Sequence, residues 1–239
     1  MITAMKIGSQ GFEPAAATDT AIWVHTIDPT PAEQAQLIRE FKVDPDMLTD
    51  ILDIDELSRI EKEDEGQTSI IRIPIFDPDR DVPYFTVPFG IIMRQNIVIT
   101  VCLHDNPISQ DILKQRIRGL KFEDANSLIL NSILRTAVYF HRYLKNINRK
   151  ISVIERDLHT SVCNVELLDL MRAQKSLTLF AASLRTNDLL LEKIHKLSAW
   201  PLDADELELL EDTRIEIKQA LEMARIYNNN TDDLMDAFT

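Results

Sequence analysis

Glycine is scarce: Gly8, Gly11, Gly66, Gly90 and Gly119 are the only five, and neither GxGxxG nor GxxxxGK[ST] can be written anywhere in the chain. Loops that wrap a dinucleotide or a nucleotide phosphate need closely spaced glycines, so both are excluded. GxSxG and HExxH are absent, and none of the five histidines lies four residues from another. That removes the hydrolase nucleophile elbow and the helical zinc-protease pair. His141, His159 and His195 read as polar residues on helix faces. Cysteine is almost missing as well. Cys102 and Cys163 form no CxxC pair, which fits a reducing cytoplasmic setting better than a disulfide framework or a zinc site.

No stretch approaches the ~18 uninterrupted apolar residues of a membrane span, and MITAMKIGSQGFEP lacks the basic-then-apolar order of a secretory leader. A soluble chain is expected. Positive charge is in the minority: 26 Lys and Arg against 39 Asp and Glu give a formal net charge of −13. This balance repels phosphate backbones and favours cations or basic partners, so no nucleic-acid partner is expected.

What is present is 239 residues, 45% of them hydrophobic, enough to bury an ordinary core. The periodicity changes near residue 122. Before it, AIWVHTID (21–28) reads as a strand. TPAEQAQLIREFKV then opens a helix over about 31–41, with Thr30 as cap, Pro31 at the first helical position and Glu33 closing a capping box. DPDMLTDILD (44–53) repeats the Asp-Pro helix start. SIIRIPIF, YFTVPFGIIMRQ and IVITVCL are β-branched runs separated by turn residues and read as three neighbouring, mostly antiparallel strands. PISQDILKQRIRGL (107–120) reads as a helix stopped by Gly119. The acidic run Glu61, Glu63, Asp64, Glu65 lacks the alternating oxygens and central glycine of a calcium loop and reads as a solvated connection.

From Glu123 onward glycine disappears and Pro201 is the only proline. Three long helices fit, at about 124–160, 164–198 and 203–239, the last on the order of 55 Å long. The expected class is α+β: an N-terminal α/β/α layered domain with a mostly antiparallel sheet (1–122), an antiparallel long-helix pair (123–202) and a stalk helix (203–239). On that last helix a 3,4 alternation links Leu207, Leu210, Arg214, Ile217, Leu221, Ala224, Asn228, Thr231, Met235 and Phe238. Two readings are open: a face packed on its own domain, or a seam shared by parallel copies whose polar positions fix register or line a water path.

LTDILD (48–53), the strand pair PFGIIMRQNIVITV, the helix NSILRTAVYFHRYLKNINRKISVIERDL and the closing LEDTRIEIKQALEMARIYNNNTDDLMDAF together resemble the cytoplasmic part of the CorA family of divalent-cation transporters. The resemblance covers the chain from about Trp23 and implies a homopentamer whose stalk helix continues into a first membrane helix. The family's Gly-Met-Asn signature and its two spans are absent from this sequence. What is implied is therefore either the cytoplasmic-face piece of a longer inner-membrane transporter or a membrane-free relative. It further implies metal sensing and gating rather than catalysis, with regulatory Mg²⁺ (Co²⁺ or Zn²⁺ as alternatives) held between subunits by Asp50 and Asp212. Glu216, one turn after Asp212, is a further ligand, whereas Thr49 cannot replace a carboxylate. Asp236 falls at the family's cytoplasmic pore mouth. A zinc transporter of the ZntB type and a soluble helical scaffold or adaptor are the alternatives.

Overall fold

The computed structural model describes residues 1–8, 11–15, 22–63, 66–94, 97–158, 164–196 and 201–238. Seven strands form one sheet: β1 (Ile2–Gly8), β2 (Gly11–Pro14), β3 (Trp23–Ile27), β4 (Arg59–Glu63), β5 (Gly66–Phe76), β6 (Tyr84–Arg94) and β7 (Ile97–Cys102). The order is β2-β1-β3-β7-β6-β5-β4, with every pairing antiparallel except β3 beside β7. Helices α1 (Pro31–Phe41) and α2 (Pro45–Leu52) cover one face. Helices α3 (Pro107–Leu113), α4 (Ala125–Leu158), α5 (Asn164–Lys196) and α6 (Ala204–Phe238) lie on the other. This is the expected α+β architecture, its sheet buried on both faces as layered folds require.

The capping signals work as read. Thr30 Oγ1 accepts from the Glu33 N–H at 3.3 Å while Glu33 Oε2 accepts from the Thr30 N–H at 2.9 Å, with Pro31 opening α1. The second Glu33 oxygen accepts from the Ile2 N–H at 3.0 Å and so ties the cap to β1. Asp44 caps α2 by accepting from the Asp46 and Met47 N–H groups.

Two expectations change, and the first residues add an element that no sequence signal marked. The first residues form a β1–β2 hairpin that extends the sheet; its alternation is blurred by Lys6, which pairs across the hairpin with Glu13 at 3.3 Å. Glu61 and Glu63 belong not to a free connection but to the edge strand β4, where solvent on one side tolerates charge; Asp64 and Glu65 lie outside the described residues. Helix α3 stops at Leu113 rather than near Gly119: Gln115 adopts a positive φ of 49° and the Arg116 N–H turns back to the Asp111 carbonyl at 2.8 Å. Gly119, at φ 79°, serves a later turn.

The larger core runs from the sheet through all three long helices. Within it Phe12, Trp23 and Phe122 pack edge-on or tilted, with centroids 4.9–5.4 Å apart. Trp23 Nε1–H donates to Thr100 Oγ1 at 2.9 Å, and the same hydroxyl lies 2.9 Å from His25 Nδ1. Burial pushes the His25 pKa from 6.5 down to about 4, because an imidazolium there would lose its hydration. A histidine whose folded pKa is lowered contributes stability fully above its unfolded value near 6.5 and loses it as pH falls through about 4. The unfolding free energy is expected to fall by roughly 2–3 kcal/mol over that interval, and His25→Gln should flatten this part of the profile. Urea titrations at stepped pH measure it. Cys102 is fully buried and its thiol is pushed up to about 12, so it is unreactive.

Candidate cation site

Helix α2 turns Met47, Leu48 and Ile51 onto Ile70, Ile92 and Ile99 of the sheet. That leaves Thr49 and Asp50 on its outer side, where Thr49 Oγ1 donates back to the Pro45 carbonyl. Asp50 Oδ2 faces Arg59 Nη2 at 2.5 Å. The same guanidinium reaches Glu56 Oε1 through Nη1. Glu61 Oε1 lies 2.9 Å from Nε but off the N–H axis, so that contact is an ion pair rather than a hydrogen bond. Desolvation is the largest single influence on Arg59 and acts downward; Asp50, Glu56 and Glu61 together outweigh it and hold the group above its ordinary pKa.

The turn between α2 and β4 is fixed from below. Arg72 of β5, buried though it touches no carboxylate, donates through Nη1 to the carbonyls of Ile54 and Glu56 at 2.5 and 3.0 Å, and through Nη2 to Thr86 Oγ1 at 2.8 Å. Burial lowers its pKa despite Asp53, Asp55 and Glu56 nearby. No sequence pattern marked Arg59 or Arg72. The nearest signal is the acid-rich stretch 50–61, beside which a positive charge is favoured.

Asp212, Glu216 and Asp236 all lie on α6. Asp203 caps this helix by accepting from the Glu206 N–H at 2.8 Å, and Asn126 Nδ2 donates to Glu206 Oε2 at 3.2 Å. Helices α4 and α6 therefore start side by side and run parallel, while α5 runs antiparallel to both. Leu210, Thr213, Ile217, Ala220, Leu221, Ala224 and Thr231 are buried against α4 and α5. The 3,4 stripe is thus largely packed within its own chain, with Leu207 exposed at its start. Its polar interval is bonded internally: Asn228 Oδ1 accepts from Thr178 at 3.2 Å, Thr231 Oγ1 donates to the Tyr227 carbonyl, and Asp232 accepts from Gln174 and Asn228.

Asp212 and Asp236 stand exposed and make no ion pair with described residues. Glu216 turns towards α4, its Oε2 3.2 Å from His141 Nε2, and so is drawn away from the outer face that carries Asp212. Within one chain no hydrogen bond or ion pair joins Asp50 to Asp212. Among the described residues no three Asp, Glu, His or Cys side chains converge as a metal centre, and no helix is long and apolar enough to cross a membrane. A separate cleft of about 450 Å³ between α4 and α5 has mainly apolar walls rimmed by Arg149, Lys150 and Arg172, with Asp169 paired to Arg172 at 2.8 Å; its net positive rim is the wrong charge for a cation.

The family described as CorA-like Mg²⁺ transporter protein matches residues 18–239. The cobalt/magnesium transport protein CorA of Methanocaldococcus jannaschii is 22% identical over 221 residues, 90% of this chain and 68% of that protein. The soluble domain of CorA from the same organism superposes with a TM-score of 0.82 at 19% identity, covering 99% of this chain and 95% of that one. The ZntB cytoplasmic domain from Vibrio parahaemolyticus superposes with a TM-score of 0.73 at 14% identity, with the same coverage. At these identities the structural likenesses show the fold.

Proposed function

The chain belongs to the CorA-like Mg²⁺ transporter family, and from that premise we propose that it is the cytoplasmic cation-sensing and gating domain of a divalent-cation transporter. Regulatory Mg²⁺ is held between copies in a homopentamer by Asp50 of one and Asp212 of the next. The observation that carries this reading is the family match, which takes in both α2 and α6. Asp50 and Asp212 are hard oxygen donors of the kind Mg²⁺ takes in ones and twos alongside its own water. Each is reachable from solvent, and one chain alone supplies only one of them to any point.

Two carboxylates facing each other across an interface repel when empty and are bridged when the ion enters. Filling therefore favours the closed, symmetric arrangement, and emptying releases it, a population shift that couples ion concentration to opening. Glu216 is a secondary ligand that must first leave His141. Asp236, repeated around the ring, concentrates hydrated cations at the pore mouth. Transport itself belongs to membrane segments beyond this sequence. Zinc is the second reading, favoured by the likeness to the ZntB domain; a donor set of carboxylates without Cys or a free His suits Mg²⁺ better.

Protection from limited proteolysis is expected to rise with Mg²⁺ and to need at least about tenfold more of the ion in Asp50→Asn with Asp212→Asn, since losing even a hydrogen-bond partner of a metal ligand brings a change of that size. An unchanged midpoint would sink the sensor assignment. Calorimetric titration with Mg²⁺, Co²⁺ and Zn²⁺ ranks the ions.

A further inference from the structure

Asp50 is already engaged by a positive charge of its own chain. Arg59 and Glu61 project from the same face of β4, two residues apart, while Ile60 points the other way into the core. Because β4 is the sheet edge and Arg59 pairs with Ile70, the guanidinium emerges beside α2 and meets Asp50, Glu56 and Glu61 at once. We propose that Arg59 is a built-in competitor for the cation at Asp50, a tethered charge that the divalent ion must displace, so that it sets the ion concentration at which the site fills. The inference rests on the reading of Asp50 as a cation ligand.

Three features make the exchange feasible. The contact is partly solvated, with 28% of the Arg59 side chain and 39% of that of Asp50 exposed, so water reaches both groups. The three nitrogens of the guanidinium go to three different carboxylates. No bidentate fork locks it to Asp50, and after release it keeps Glu56 and Glu61. Finally, arginine does not deprotonate at any physiological pH. The competition is thus set by ion concentration alone, unlike a histidine latch that acid would open. If Asp50 is free for only a fraction of the time, the apparent affinity for the ion falls by that fraction. A structural role alone, pinning the end of α2 to β4, would show in stability without moving the ion midpoint.

The test is the Mg²⁺ midpoint of protease protection for wild type, Arg59→Gln, Arg59→Lys and Asp50→Asn, with thermal melts in metal-free buffer. Arg59→Gln should lower the midpoint about tenfold, as release of a mostly paired ligand requires, and Arg59→Lys should lie between it and wild type. A midpoint within twofold of wild type in Arg59→Gln, with Asp50→Asn weakened, overturns the competitor and leaves the sensor reading standing. A midpoint that Asp50→Asn does not alter overturns both. Should Arg59→Gln fail to fold, the ¹⁵Nε resonance of Arg59 in the intact protein decides: it should shift as Mg²⁺ saturates wild type and stay still in Asp50→Asn. A signal unmoved through saturation of wild type overturns the proposal.

Discussion

Replacing Gly90 by valine is expected to lower the unfolding free energy by about 3 kcal/mol or more, at the upper end of overpacking penalties, and to displace the helix that carries Asp50. Gly90 sits in the middle of β6, opposite Ile70 on one side and Val101 on the other. A Cβ added there would lie 2.5 Å from Cδ1, 2.8 Å from Cγ1 and 2.9 Å from Cγ2 of Ile51. Ile51 is fully buried and directly follows Asp50, so it has little room to retreat. Glycine in a strand interior ordinarily weakens the strand; here it marks the close approach of a helix. Alanine should cost less, about 1–2 kcal/mol, because it adds one methyl where valine adds three carbons, and a small displacement of Ile51 can meet it. Ile51→Ala removes what the new side chain strikes. The double variant Gly90→Ala with Ile51→Ala should therefore be less destabilised than the sum of the singles, a coupling that a double-mutant cycle reads directly. Urea unfolding measures the energies, and the Mg²⁺ midpoint reports whether Asp50 has moved.

What was legible in the sequence follows from how local each signal is. Helices α1 and α2 announced themselves through Thr30, Pro31, Glu33 and the Asp44-Pro45 start, all within one turn of the cap they form. β5, β6 and β7 were readable because strands buried on both faces are continuous apolar runs. The edge elements were not: β1, β2 and β4 are short or charged, and only pairing with a neighbour makes them strands. The early end of α3 was equally hidden, since Asp111 turns into the protein to meet Arg135 Nε at 2.6 Å and the Tyr139 hydroxyl at 2.7 Å, a tertiary contact that local propensity does not encode. As for the site, Asp50 and Asp212 came from resemblance alone; no spacing relates residues 162 positions apart that one chain does not bring into contact. The ring of carboxylates around Arg59 was half visible as acid-rich sequence. Its organising cation was not, because Arg59 looks like any strand residue until β4 is known to be an edge.

Asn187 shows how far from the carboxylates the site is held, and its loss should be nearly as costly as that of Gly90. β4 begins only at Arg59, opposite Ile70, so its ladder stops two residues short of Arg72. The N–H and C=O of one strand residue point to the same side, and those of Arg72 point into the gap beyond β4 rather than towards Pro88 of β6. The backbone of Arg72 would thus be buried and unpaired, but the Asn187 amide of α5 stands in for the missing strand: Oδ1 accepts from the Arg72 N–H at 3.0 Å and Nδ2 donates to its carbonyl at 2.8 Å. The same Oδ1 accepts from the Ser58 hydroxyl at 2.6 Å, one residue before Arg59. Asn187→Ala leaves two buried main-chain groups without partners, each worth about 1–3 kcal/mol, so a loss of roughly 3–4 kcal/mol is expected. Asn187→Leu restores volume but neither hydrogen bond and should be no better, which separates polar satisfaction from cavity formation. Amide exchange at Arg72 should accelerate in both variants, since an N–H without its acceptor opens more readily. If Asn187→Leu instead recovers most of the stability, the side chain acts by filling space and the stand-in strand is wrong. Because Ser58 also loses this acceptor and keeps only its 3.0 Å contact with Thr186 Oγ1, both variants should also loosen the 54–59 turn and shift the Mg²⁺ midpoint although every carboxylate remains, linking a fully buried amide on α5 to the charge balance at Asp50.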